Sequence, residues 1–165
     1  MSFKSADGAI VAVTSWIVVY LTFQMTAVVI LGVFMRYVMN DAYAWVEEVA
    51  RYSMIWLSWL GGGLAIRRGA HIAVEFGIDA LAADVRRAVL FAGRLAIFGF
   101  LGVCIWFGAD LTDRVSMQST IALGISMQIP YASIPIGAAL MAYHLLVVMI
   151  FPWARVERAS TEFQL

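Results

Sequence analysis

Residues 8–35 contain no charged side chain, and at ~1.5 Å rise per residue a helix of that length crosses a hydrocarbon core of about 30 Å with room to tilt. A run like this has few folding options, because backbone groups inside lipid must be satisfied within a helix or a closed barrel. The rest of the chain agrees. Of its 165 residues 63% are hydrophobic and 13% charged, about half the ~25% charge of an ordinary soluble domain. A water-soluble globule is therefore excluded. Eleven Lys/Arg against eleven Asp/Glu leave no basic surplus to neutralise phosphates, so composition gives no support to nucleic-acid binding. The single cysteine, Cys104, rules out a disulfide within the chain and a Cys-based zinc site. The first apolar run lacks a small-residue cleavage site after a short core, and reads as a retained helix rather than a signal peptide.

The pattern predicts an all-α membrane protein, one integral domain over residues 1–165, with four transmembrane helices at about 10–35, 46–66, 89–109 and 130–151. The first stops at Arg36-Tyr37. Asn40-Asp41 then forms a turn-favouring pair before the second. His71, Glu75 and Asp79 recur every four residues while Val74, Ile78 and Leu81 take another face. That spacing predicts a short amphipathic interfacial helix at about 71–87, between helices two and three. Arg94 falls near enough to the start of the third crossing to snorkel. Residues 116–128 hold Ser116, Gln118, Ser119, Thr120, Ser126 and Gln128, too polar for lipid, and read as a loop or partly re-entrant segment. Pro130 is expected in the first turn of the fourth crossing, where its missing N–H costs least.

Lys4, Arg67, Arg68, Arg86, Arg87, Arg155 and Arg158 fall on one side of this layout, whereas Asp41, Glu47, Glu48, Asp110 and Asp113 fall on the other. The positive-inside rule then places both termini in the cytoplasm. Tyr37, Tyr43, Trp45, Trp106 and Trp153 sit at the expected interfaces, as an aromatic belt requires.

Chemistry-bearing residues are few. Glu47 and Glu48 lie four and three positions before Arg51, so both carboxylates can reach one guanidinium. One reading is a self-neutralised helix start; the other is a site for ions or a partner subunit at the membrane edge. Ser58, Gly61, Gly62 and Ala65 provide small residues at four-residue spacing, the pattern used for close helix approach to a neighbour in this chain or another. Gln24 places an amide in mid-helix one that needs a hydrogen-bond partner. His71 and His144, the only histidines, admit a bis-histidine haem and hence a small b-type cytochrome membrane anchor. A Gly-rich phosphate loop, a Gly-x-Ser-x-Gly turn and a His-Glu-x-x-His pair are all missing, so no catalytic residue, substrate site or metal site is assigned. A third reading is an assembly or sensing membrane protein.

The ordered residues Val33-Phe34-Met35-Arg36-Tyr37-Val38-Met39-Asn40, Trp45-Val46-Glu47-Glu48-Val49-Ala50-Arg51-Tyr52, Trp56, and Leu64-Ala65-Ile66-Arg67-Arg68-Gly69-Ala70-His71-Ile72 resemble the small membrane subunit, DctQ type, of tripartite ATP-independent periplasmic (TRAP) transporters. Leu123-Gly124-Ile125-Ser126, Pro130-Tyr131 and Ile134-Pro135-Ile136-Gly137 are similar to that family's approach to its last helix. The resemblance implies a non-catalytic scaffold in a bacterial or archaeal cytoplasmic (inner) membrane, without a cofactor. Its implied partners are the lipid bilayer, a large multi-helix subunit carrying substrate and sodium, and a soluble periplasmic substrate-binding protein. The implied cargo is an organic acid. On that resemblance Glu47, Glu48 and Arg51 belong to a helix-two signature at the subunit contact or helix entry, Arg67 and His71 fix the turn at the inner end, and Tyr131 and Pro135 are structural.

Overall fold

In the computed structural model, which describes residues 3–67 and 82–151, the uncharged run is one helix of 35 residues, α1 (Phe3–Tyr37). Its length is about 52 Å. The hydroxyls of Thr14, Thr22 and Thr26 donate to the carbonyls of Ile10, Val18 and Thr22, each at 2.8 Å, which satisfies polar groups within the helix. Gln24 is half-buried, and its amide makes no hydrogen bond among the described residues.

Asn40 then takes a left-handed conformation (φ 55°), which asparagine tolerates better than most residues. The Asp41 N–H returns to the Met35 carbonyl at 3.1 Å. The chain reverses into α2 (Ala44–Arg67), followed by α3 (Ala83–Arg114), α4 (Gln128–Tyr131) and α5 (Ser133–Ile150). Pro135 explains why α4 and α5 are separate. It has no N–H for the Tyr131 carbonyl and its ring crowds that carbonyl, so the ladder breaks near Ala132. Pro130 lies in α4, which forms the first turn of the apolar stretch Gln128–Ile150, as expected for the last crossing.

The all-α expectation holds among the described residues, where the sole extended pairing is an isolated antiparallel bridge between Ser119 and Ser126. By length and composition, three helical stretches can cross a membrane: Lys4–Tyr37, Asp84–Arg114 and Gln128–Ile150. The chain is thus a multi-pass membrane protein. α2, expected as a further crossing, has 24 residues but is diluted by Glu47, Glu48, Arg51 and three consecutive glycines. Residues 71–81 of the expected interfacial helix lie outside the described residues. Residues 83–87 belong to α3, which runs unbroken to Arg114, so Arg94 lies about three turns from the helix start.

Among the described residues the helices form a row rather than a closed bundle: α1 packs mainly on α2, α2 on α5, and α5 on α3. Neighbours are antiparallel for α1 with α2 and for α5 with α3, while α5 runs parallel to α2, as the contacts at both ends below require. This order explains the burial. The outer helices α1 and α3 expose broad apolar faces, with Trp16, Phe23, Phe91 and Trp106 all open, whereas Leu60, Leu64, Ile66, Ala138, Leu145 and Val147 are buried between the inner pair.

Close approach within the row is set by small residues. A Cβ on Gly137 of α5 would collide with the Trp59 side chain of α2, and one on Gly108 of α3 would lie 3.3 Å from the Pro135 backbone nitrogen. Because the obstructing Trp59 atom is its own Cβ, it cannot swing aside. Gly137→Ala is therefore expected to destabilise the chain by about 1–3 kcal/mol through overpacking, read as a lower melting temperature in detergent. Gly61→Ala, where an added Cβ meets nothing within 4 Å, is the control and should melt no lower than the parent, since Ala favours a helix interior over Gly. Equal melting of the two variants would contradict the packing.

Candidate functional site

The candidate residues gather at the two ends of α2. At its start, Glu48 is buried although it is a carboxylate in the first turns of a helix. Its partners are backbone amides and the Thr120 hydroxyl, not Arg51. Oε1 accepts the N–H groups of Ile121 and Ala122 at 3.0 and 3.1 Å, and Oε2 accepts that of Leu123 at 3.0 Å. Three successive amides converging on one carboxylate make an anion nest, formed here within the chain. The 116–127 loop supports it: Thr120 N–H bonds the Ile125 carbonyl at 2.8 Å, Met127 N–H bonds the Gln118 carbonyl at 2.9 Å, and Gly124 closes the turn at φ 65°. The loop tip projects Met117 and Ile121, which are 94% and 97% exposed.

Glu47 points the other way. Its carboxylate accepts from Arg36 Nη2 at 2.6 Å, with both side chains more than half exposed. Nearby, the Asp41 carboxylate takes the Tyr43 hydroxyl hydrogen bond and raises that hydroxyl above the ordinary tyrosine range. The expectation that Glu47 and Glu48 share Arg51 is thus corrected. Local spacing made Arg51 reachable, but each carboxylate gains more from a distant donor: Glu48 by burial in the nest, Glu47 by closing α1 onto α2. Arg51 is exposed and makes no ion pair among the described residues.

At the other end of α2, Arg67 is 2% exposed. It donates from Nη2 to Asp7 Oδ1 of α1 and from Nε to His144 Nδ1 of α5, the latter at 3.1 Å. The Tyr143 hydroxyl donates to the same Asp7 oxygen at 2.9 Å. Three helices are therefore joined through one guanidinium. Asp7 and Tyr143 carried no sequence signal for this role, since Asp7 reads as an ordinary charge before an apolar run. His144 is fully buried, and a Cβ on Gly63 would lie 3.2 Å from its Cδ2. His144 Nδ1 accepts from Arg67, so the neutral ring carries its proton on Nε2, which is buried with no partner among the described residues; an axial haem ligand needs the Nε2 lone pair with a proton on Nδ1 instead. His71 lies outside the described residues.

The small-residue positions divide. Gly62 faces the Met141 side chain of α5, and an added Cβ there would clash. Gly61 and Ser58 face outward, the Ser58 hydroxyl donating to the Met54 carbonyl at 2.8 Å. Ala65 is half-buried. Arg51, Met54, Ser58 and Gly61 accordingly share one open face of α2.

Residues 25–155 match the family described as tripartite ATP-independent periplasmic transporters, DctQ component. The chain is 29% identical over 111 residues to the sialic acid TRAP transporter small permease protein SiaQ of Vibrio cholerae, covering 67% of this chain and 64% of that one. It is 28% identical over 113 residues to the C4-dicarboxylate TRAP transporter small permease protein DctQ of Rhodobacter capsulatus, covering 67% and 49%. Against the isethionate TRAP transporter permease protein DctMQ of Oleidesulfovibrio alaskensis it is 30% identical over 107 residues, 64% of this chain but 17% of that much longer one. The matches thus span less than two thirds of each relative's length. The family match covers both clasped ends of α2, the loop that holds Glu48 and the whole of α5, and the chain belongs to the DctQ component family of TRAP transporters.

Proposed function

We propose that this chain is the small, non-catalytic scaffold subunit of a TRAP-type secondary transporter. In this reading it works with a large multi-helix membrane subunit and a soluble periplasmic substrate-binding protein, in a bacterial or archaeal inner membrane. The observation that carries the proposal is the row of helices, locked internally at both ends of α2 while its outer faces stay open and apolar. A transporter whose cargo-bearing part moves needs another part that does not, and a flat, internally clasped layer gives a broad footprint in the bilayer. The 17% coverage of the isethionate permease supports a large partner, since there a counterpart of this chain is part of a longer polypeptide. The three relatives are named for sialic acid, C4-dicarboxylates and isethionate, all organic anions, so the cargo is an organic acid. Its uptake is driven by an ion gradient, with sodium as the coupling ion.

The basic Arg67 end faces the cytoplasm and the Glu48 end the periplasm, as the positive-inside rule directs. α2 is then the fourth crossing, shielded from lipid by α1, α5 and the partner. Its open face, Arg51 with Met54, Ser58 and Gly61, is the contact with the large subunit. A charge near the membrane edge that has no partner among the described residues is costly, and small residues beside it permit a close helix. Arg51→Glu is expected to reduce recovery of the large subunit in mild-detergent co-purification by about tenfold, the loss of one well-placed charged contact. The variant chain should melt normally. Full recovery would remove Arg51 from the interface, and failure to recover any large multi-helix partner with the parent chain would overturn the scaffold reading itself.

A further inference from the structure

Where α1 ends and α2 begins, the two helices line an open cleft of about 260 Å³ beside the close approach of Gly32 to Val46. Its floor is apolar, with Val29 and Val33 of α1 and Ala50 of α2, and its rim carries Arg36, Glu47 and Tyr43. We propose that this cleft binds a phospholipid whose headgroup is zwitterionic and carries a primary ammonium, as in phosphatidylethanolamine.

The argument rests on charge complementarity. The Arg36–Glu47 pair uses one guanidinium nitrogen and one carboxylate oxygen, while a guanidinium has five N–H donors and a carboxylate two accepting oxygens. Among the described residues the remaining donors of Arg36 and the second oxygen of Glu47 have no protein partner. Both groups are more than half exposed, so a ligand can reach them. A phosphate is the natural acceptor for the planar fork of Arg36, and an ammonium with three N–H donors suits Glu47. Neither charge alone selects the headgroup. An anionic lipid meets Arg36 but is opposed by Glu47, and a choline headgroup offers Glu47 a positive charge with no N–H. The position fits as well: the exposed rings of Tyr37 and Tyr43 mark a headgroup-level belt, and the exposed faces of Val29 and Val33 continue from the cleft along α1 as a track for an acyl chain.

The test is native mass spectrometry of the delipidated full chain with equal amounts of dioleoyl phosphatidylethanolamine, phosphatidylcholine and phosphatidylglycerol. The expected result is one ethanolamine lipid per chain, preferred over each of the others by about tenfold, the scale of one charge-assisted hydrogen bond. Glu47→Gln should shift the preference toward phosphatidylglycerol because Arg36 remains, whereas Arg36→Gln should abolish selective retention. Both variants should keep the parent's helical circular dichroism, since the pair is exposed and contributes little to folding. Equal binding of the three lipids would overturn the proposal. So would unchanged selectivity in Glu47→Gln, or loss of the lipid when the chain is purified with its large membrane partner, which would assign the cleft to protein.

Discussion

Replacing Arg67 with methionine is expected to cost about 3–5 kcal/mol of stability, the scale for breaking one side of a buried ion pair. Asp7 would lose its counter-charge while staying buried against Tyr143, and His144 Nδ1 would lose its donor. Asp7→Asn should also destabilise, because Arg67 would keep a buried charge beside the imidazole. The double variant Asp7→Asn/Arg67→Met is expected to regain much of the loss, since it removes both charges together and charge burial is the main penalty. A double-mutant cycle on melting in detergent measures this, and the expected sign is strong non-additivity. Simple addition of the two single effects would mean that the pair does not hold α1 to α2. The consequence for function is specific: α1 is an outer helix whose polar ties to the row include this buried pair, the Tyr143 hydroxyl of α5 on the same Asp7 oxygen, and the exposed Arg36–Glu47 pair, so losing Arg67 should loosen α1 before α5.

How far residues alone reveal such a clasp depends on how far apart its members lie in the chain. Uncharged runs mark helices well, because lipid leaves the backbone no other solution; α1, α2 and α3 stand where hydropathy expects them, though each is longer. The underestimate at α1 has a physical cause. Asp7 reads as the end of an apolar helix unless its partner is known, and that partner is 60 positions away. The Glu47, Glu48 and Arg51 spacing invited a local answer, yet Glu48 bonds amides 73 to 75 positions on, and backbone N–H groups leave no mark on residue identity. The polar residues between 116 and 128 marked a loop or re-entrant segment, but not which amides it would turn toward Glu48. Nor does hydropathy say whether an apolar face meets lipid or protein, which is why a row and a closed bundle look alike in sequence.

Glu48→Ala is expected to release the 116–127 loop, because three amide donors lose the carboxylate that gathers them. Hydrogen bonds to a charged group are stronger than neutral ones, but water can reach part of this loop and replace some of what is lost. Hydrogen exchange is the direct reading: the amides of Ile121, Ala122 and Leu123 should exchange faster by about one to two orders of magnitude, as easier local opening requires. Glu48→Gln should fall between, since its amide oxygen still accepts one or two of the N–H groups while its NH2 opposes the third. Unchanged protection in Glu48→Ala would show that the backbone turn alone holds the loop. The same variant separates two functions at the start of α2. If the loop's exposed Met117 and Ile121 meet a periplasmic partner, Glu48→Ala should weaken that contact while the large membrane subunit still co-purifies through Arg51. Loss of both contacts together would mean that the nest positions α2 as a whole, and that the helix start and the loop act as one rigid piece.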